Sequence, residues 1–594
     1  AKRTKALQET LVKLEMLVDM SIAMSAEFDI NRLSGMILSG AKKLTHADGG
    51  SLYLVNEARD QLEFKIVLND TLGFEQGGTS DIPISMKPVQ LYDTDGNENH
   101  RNVVTHTFHT GRTENIIDAY EVGEYDFTGT RKFDEGNNYR SVSFLTVPLK
   151  PRGGGDVLGA LQLINAVDQQ TGEIVPFPEE LQSFVAALSS AAAVAVQNRN
   201  LIERQKRLFD DLVRFVASAI DAKSPYTARH CARVPEIAKL LVREAEKMKS
   251  GPFADFSFDD ASTRREFELG AWLHDCGKVT TPEYVVDKAT KLETIYNRIH
   301  EIRTRFEVLL RDVRIERHKA VLEGADPSTA DKELAIKEIK LHEDFAFVAE
   351  CNVGSEYMAD DKIEKLGEIA ETPWYRHFDD RLGLSWGETR RFADLKDDGE
   401  TDLPVRVNLL ADRPDHIVPR ENWTQENYDR FDFQFVVPEF LYNRGELYNL
   451  SVRGGTLTNE ERFKIDEHVA QTIVMLEHIP FPDDLRRVPE YAGTHHEHAD
   501  GSGYPRKLVL SQLSIPARIM ALADVLEALT STDRPYKKDK MLSEAIEILY
   551  QMKLQGHLDP DLFTLLIESR AYEEYAKNFL EPAQIDTINR ERYL

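Results

Sequence analysis

From Glu179 to Ala222 the chain runs without a proline or a glycine. With neither helix breaker present, the run predicts one long helix. A chain of 594 residues is too long for a single core, and two to four domains are expected. The run therefore reads as a connector between bodies. Apolar or small residues fall at Leu181, Val185, Leu188, Ala192, Ala195, Ile202, Phe209, Val213, Val216 and Ile220, spaced by threes, fours and sevens. That is close to a heptad seam, flawed by Arg199 and Lys206 at seam positions. Such a helix either pairs two chains or packs on its own domain. Its place between two bodies favours the paired version, a homodimer.

The composition, 41% hydrophobic and 29% charged, is that of an ordinary soluble globular protein. A formal net charge of -28 argues against binding a nucleic-acid polymer, whose backbone calls for cations. It leaves room for an anionic small ligand where metals and a few cations are concentrated. Three widely separated cysteines, Cys231, Cys276 and Cys351, suggest reduced thiols and a cytoplasmic location. The longest near-apolar run, Phe184 to Val196, falls short of the roughly 20 residues of a membrane span. No secretory signal is visible, and a start at Ala1 leaves an upstream segment open.

Residues 5–24 carry Leu7, Leu11, Leu14, Leu17 and Ile22 at helical spacing and predict an amphipathic leading helix. Strands are expected at Ser51–Val55, Leu62–Val67, Val142–Leu149 and Leu158–Ala166, the last two joined by the Pro/Gly-rich turn Lys150–Asp156. An antiparallel sheet with flanking helices follows, an α+β domain. His106 and His109 read as structural or solvated residues on a strand. Beyond the connector, Lys291–Leu322 predicts a helix, Gly324–Asp331 a turn with Pro327, and Glu333–Val348 a returning helix. Residues 351–450 turn irregular, with Trp374, Trp386 and Trp423. A helical cap and a dimerisation element are equally open for this region.

Two stretches carry chemistry. His495-His496 offer adjacent imidazoles, followed by the loop Asp500-Gly501-Ser502-Gly503-Tyr504-Pro505. His274-Asp275 offer a nitrogen and a carboxylate able to bridge two cations, and Lys278 lies one helical turn on. Together with Ala521-Leu522-Ala523-Asp524 and Asp533-Arg534-Pro535-Tyr536-Lys537, these pieces resemble the HD-GYP branch of the HD metal-dependent phosphohydrolases, over roughly residues 205–310 and 450–570.

The resemblance implies seven metal ligands, His230, His274, Asp275, His468, His495, His496 and Asp524, holding two divalent transition metal ions, iron or manganese, with Asp275 bridging. His478 and His498 have no counterpart in the pattern. Some family members hold a third metal through a Glu where this chain has Tyr226, so two metals are expected. Asp275 and Lys278 take the catalytic roles, and Lys278, Gly503, Tyr504, Pro505, Arg534 and Lys537 the contacts to substrate. The implied reaction is hydrolysis of cyclic di-GMP to pGpG, with the further step to GMP left open. Another cyclic dinucleotide such as cyclic GMP-AMP, or sensing without hydrolysis, are the rival readings.

Across about residues 20–200, Ala47–Leu54 and the Leu-Gly-Ala-Leu-Gln-Leu-Ile-Asn run ending at Asn165 resemble a GAF sensory domain. Arg131-Lys132-Phe133-Asp134 is similar to part of the signature of GAF domains that bind cyclic nucleotides, which marks these four as ligand candidates. The alternative reading is a loop salt bridge that holds the domain together. The expected architecture is multidomain, α and α+β. It comprises a GAF-like domain at 1–178, a connecting helix at 179–222, and an all-α HD-type bundle at 223–594, interrupted by an insertion at about 311–450.

Overall fold

The computed structural model describes residues 2–223, 230–258, 260–355, 357–394, 403–421, 428–531 and 540–594. Contacts divide the chain into two units, Ala1–Phe209 and Asp210–Leu594. The first contains strands β1 (Ala47–Val55), β2 (Gln61–Asn69), β3 (Phe74–Gly77), β4 (Val89–Gln90), β5 (Glu114–Ile116), β6 (Phe144–Leu149), β7 (Gly159–Val167) and β8 (Ile174–Val175). They form one sheet in the order β3-β2-β1-β7-β6-β5, with β4 against β2 and β8 against β7. Every pairing is antiparallel.

Side chains alternate between the two faces with the period of two that a pleated strand imposes. Leu52 and Leu54 of β1, Leu145 and Val147 of β6, and Leu161 and Leu163 of β7 enter a core shared with helix Ile30–Thr45 and the start of helix Glu179–Asp221. Tyr53 and Ala160 turn to the other face, against Val104 and Phe108. There a cavity of about 530 Å³ is lined by Tyr53, Phe64, Phe127, Phe133 and Phe144 with Asn69 among its polar groups.

Two local expectations are corrected on this face. His106 and His109 lie in helix Val103–Thr110, not on a strand. Burial of Val103, Val104 and Phe108 along one side, and Gly111 closing the helix at φ 63°, outweigh the β propensity of a Val/Thr-rich stretch. Residues 130–135 belong to helix Thr128–Asn137, so they are not a loop. Within it, buried Asp134 accepts from Tyr120 Oη at 2.7 Å and from Ser141 N and Oγ at 2.8 Å each. Phe133 lines the cavity, Arg131 lies 5.4 Å over the Tyr120 ring, and Lys132 is exposed.

The long helix spans Glu179–Asp221. Its first seam residues, Leu181, Val185, Leu188 and Ala192, are buried, and so are Val213 and Ile220. Those positions pack within the chain's own units. Leu201, Leu208 and Phe215, spaced by sevens on the same helix, are 55%, 64% and 70% exposed. Among the described residues no helix is long and apolar enough to cross a membrane.

The second unit is built on helices His230–Lys247, Ala261–Leu273, Val488–Gly493, Ile515–Thr530, Leu542–Leu554, Pro560–Ser569 and Ala571–Phe579, which share one core. Between Lys288 and Glu461 the chain leaves this bundle to make a second core from helices Ile299–Leu322, Pro327–Val353 and Asp360–Ala370. The first of these begins at Ile299, later than the apolar stripe predicts, and Ile295 is 91% exposed. Buried Lys291 explains the delay, because its Nζ donates to the Leu450 and Val452 carbonyls at 2.9 and 2.7 Å. The returning helix begins earlier than expected, at Pro327, because Asp326 caps it by accepting from Thr329 N at 2.9 Å.

At the root of this excursion the Lys288 ammonium meets Glu461 at 2.7 and 2.9 Å and Asn449 at 3.1 Å, all buried. Glu461 also accepts from Thr458 N, completing a capping box for helix Asn459–Glu477. Glu461→Ala leaves a buried ammonium unpaired and the helix uncapped. It is expected to cost about 3–5 kcal/mol in chemical denaturation of this unit, whereas Lys337→Ala, which breaks the exposed surface pair with Glu316, should cost under about 1 kcal/mol.

Candidate metal centre

Helix Ala261–Leu273 ends at His274, and Asp275 leads into the 3-10 turn Cys276–Thr280. That turn lies against helix Asn459–Glu477 so closely that a Cβ on Gly277 would sit 1.9 Å from the His468 carbonyl oxygen. Only glycine allows this approach. Thr472 Oγ1 locks it, accepting from Gly277 N at 2.9 Å and donating to the His274 carbonyl at 3.1 Å. The crossing thereby brings His468 beside His274 and Asp275. His495 and His496 follow helix Val488–Gly493, His230 opens helix His230–Lys247, and Asp524 projects from helix Ile515–Thr530.

All seven expected ligand positions converge. Two groups have ligand atoms within 4.8 Å of one another: His230, His274 and Asp275, and His468, His495 and His496. Asp275 stands between them. Its Oδ2 is 3.1 Å from His230 Nε2 and 3.4 Å from His274 Nε2, while its Oδ1 is 3.1 Å from His468 Nε2 and 3.9 Å from His495 Nε2. Asp524 Oδ1 joins the first group at 3.1 Å from His230 Nε2 and 3.7 Å from His274 Nε2.

The ring orientations are set from behind. Nδ1 of His274, His468 and His495 each meets the carbonyl three residues earlier, of Ala271, Ile465 and Ala492, at 2.8, 2.6 and 2.8 Å. A carbonyl only accepts, so Nδ1 carries a proton and Nε2 turns inward. Nε2 of His468 and of His495 is buried and makes no hydrogen bond among the described residues. Buried nitrogen lone pairs without a donor, facing a carboxylate, fit a cation. The nitrogen-rich set suits a transition metal ion.

His230 is held differently, its Nδ1 2.5 Å from Glu527 Oε2, with Arg233 on the other Glu527 oxygen at 3.2 Å. The sequence reading missed Glu527. Its signal was present: it lies three residues after Asp524 on one helix, so both carboxylates share a face. Glu497 is also explained. Its carboxylate accepts from Arg506 N and Leu508 N at 2.7 and 2.8 Å and so folds the loop between them. Inside that loop a Cβ on Gly503 would lie 2.3 Å from His498 N, and the Tyr504 ring stacks on His496 at 4.8 Å and 17°.

Charges follow this arrangement. Burial pushes the Asp275 carboxyl up, but Lys278 and the surrounding histidines outweigh it and hold the group well below the carboxylate range. Lys278 Nζ is 2.5 Å from Asp275 Oδ2 and remains protonated. Burial alone would lower His230 and His274, yet the facing carboxylates raise both, His274 to about 9. Burial lowers His495, and lowers His496 to about 3, so both are neutral. Arg534, Lys537 and Tyr226 lie outside the described residues.

Comparison with known proteins places an HD domain at residues 404–562, which takes in His468, His495, His496 and Asp524 and leaves His230, His274 and Asp275 upstream. HD domains are metal-dependent, in keeping with the two ligand groups. The chain is 36% identical over 115 residues to 3'3'-cGAMP-specific phosphodiesterase 1 of Vibrio cholerae, covering 19% of this chain and 26% of that protein. It is 44% identical over 75 residues to a cyclic di-GMP phosphodiesterase of Pseudomonas aeruginosa, covering 13% of this chain and 17% of that protein. Among solved structures, the GAF domain of an Acinetobacter phosphoenolpyruvate-protein phosphotransferase aligns with 32% of this chain and 98% of its own, at 14% identity and a TM-score of 0.24.

Metal uptake should be proton-linked. Below about 9 a cation entering the first group displaces a proton from His274, and likewise from His230. Affinity therefore rises as pH rises toward 9, while His495 and His496, already neutral, add nothing to the slope. Titration of metal-free protein with Mn²⁺ at pH 7 in buffers of different ionisation enthalpy should show release of about two protons per pair of ions. Release should fall in Glu527→Gln, where the charge that favours the His230 proton is gone.

Proposed function

We propose that this chain is a metal-dependent phosphodiesterase that hydrolyses cyclic di-GMP to pGpG. The observation that carries the reading is Asp275, whose two carboxylate oxygens face two separate histidine groups. On this reading His230, His274, Asp524 and Asp275 Oδ2 hold one cation, and His468, His495, His496 and Asp275 Oδ1 hold the other. Two divalent ions bound there supply a water deprotonated near neutral pH and neutralise phosphate charge. Lys278 keeps its proton and presents a cation to a phosphate oxygen. Gly503, Tyr504 and Pro505 wall the substrate, Arg534 takes the guanine or a phosphate, and Lys537 takes the second phosphate. A second reading, cyclic GMP-AMP as substrate, is supported by the 3'3'-cGAMP-specific relative.

The N-terminal unit takes the role of a GAF-type regulator, with a small ligand such as a cyclic nucleotide in the cavity that Phe133 lines. A homodimer through helix Glu179–Asp221 completes the proposal, now through the exposed sevens Leu201, Leu208 and Phe215. Sedimentation of wild type beside Leu208→Glu is expected to show a dimer and a monomer; a monomeric wild type, or a variant that stays fully dimeric, rejects the interface.

The activity is tested by chromatography of products after incubating metal-loaded protein with a panel of cyclic dinucleotides, beside elemental analysis of variants. Asp275→Ala should lose metal and turnover together, because two cations are left without the anion between them. Tyr504→Ala and Arg534→Ala should keep metal, with catalytic efficiency down about tenfold for Arg534→Ala through loss of a charge-assisted contact. Full activity in Asp275→Ala discards the metal assignment.

A further inference from the structure

The second half of the insertion returns to the bundle across the substrate loop. Three hydrogen bonds fasten segment 428–435 there. Tyr428 Oη donates to Glu467 Oε1 at 2.5 Å, Arg506 Nε to the Phe431 carbonyl at 2.9 Å, and Gln434 N to the Pro505 carbonyl at 2.7 Å. Between them, Phe433 packs with Val469, Ala470 and Ile473 of helix Asn459–Glu477. Phe435 lies 5.5 Å from the Phe463 ring and 5.9 Å from Tyr504, which itself stacks on His496. A run of ring contacts thus leads from the insertion through Tyr504 to a ligand position.

We propose that segment 428–435 is a strap that positions the Gly503-Tyr504-Pro505 loop, with Phe435 as its positioning residue for substrate. The Tyr504 ring stacks on His496 and meets Phe435 at a tilt, while its hydroxyl bonds Asp466 of helix Asn459–Glu477, so the insertion is one of the groups that set where that ring sits. The loop's own backbone bonds fix the chain on either side of the ring rather than the ring itself. Glu497 holds the backbone at Arg506 and Leu508, beyond Tyr504, and Tyr504 N reaches the His496 carbonyl at 3.1 Å, before it. The carbonyl of Pro505 is taken by Gln434, a residue of the insertion. Phe435 touches no ligand side chain in these ring contacts and acts through Tyr504 alone. Its loss should therefore alter substrate handling and leave the cations in place.

The inference rests on the phosphodiesterase reading, and its test separates the two. Phe435→Ala, Phe435→Leu and Tyr428→Phe are compared with wild type by elemental analysis, by steady-state kinetics on cyclic di-GMP and cyclic GMP-AMP, and by hydrogen exchange of peptides spanning residues 499–508. Phe435→Ala is expected to keep its metal, to raise KM about two- to tenfold, the scale of one lost aromatic pair, with a smaller change in kcat, and to speed exchange in the loop. Phe435→Leu should recover part of the KM change, and Tyr428→Phe should shift KM in the same direction. Unchanged KM and unchanged loop exchange in Phe435→Ala overturn the strap. Wild type inactive on every dinucleotide removes the phosphodiesterase reading, and loop exchange then decides the strap alone: faster exchange in Phe435→Ala upholds it, unchanged exchange overturns it.

Discussion

A fully buried carboxylate at Asp275 is the constraint around which the second unit is arranged. An ionised carboxyl away from water is expensive unless cations and donors surround it. Here Lys278 and the imidazoles of His230 and His468 stand at 2.5 to 3.1 Å from its two oxygens. To gather them, the start of helix His230–Lys247 and the turn after helix Ala261–Leu273 must meet the middle of helix Asn459–Glu477. The glycine at 277 makes the tightest of those meetings possible, and Thr472 fastens it. The shared core of the bundle supplies the apolar burial that holds the ends together against the repulsion of like charges.

Much of the site was legible in the sequence because its ligands come as short, recognisable pieces. Adjacent pairs such as His274-Asp275 and His495-His496 need no long-range information to be noticed. Glu527 was overlooked because its role exists only across the packing of two helices: it meets His230, nearly three hundred residues earlier in the chain. Phe435 was invisible for the same reason, lying in a region whose irregular composition carries no period. Arg534 and Lys537 were named from the sequence, and the described residues do not include them.

The fold was read best where a single period dominates. The strand stretches at Ser51–Val55, Leu62–Val67, Val142–Leu149 and Leu158–Ala166 and the breaker-free connector translate directly into elements. Readings failed where tertiary contacts overrule local pattern. Ile295 continues an apolar stripe in sequence, yet Lys291 is drawn into the insertion's core by two carbonyls and the helix starts only at Ile299, about two turns later. On the connector, apolar spacing identified a seam, but much of that seam faces the chain's own cores. Periodicity shows that a face is apolar and leaves open what covers it.

The carbonyls behind His274, His468 and His495 have a kinetic meaning as well as a geometric one. Each ring is oriented by a carbonyl of its own helix, three residues back, without reference to any cation. The rotamer freedom of these side chains is surrendered when the helices form, so little remains to be lost at the moment of coordination. A centre built this way is a rigid receptor: ions can exchange through it without the protein rebuilding itself around each arrival.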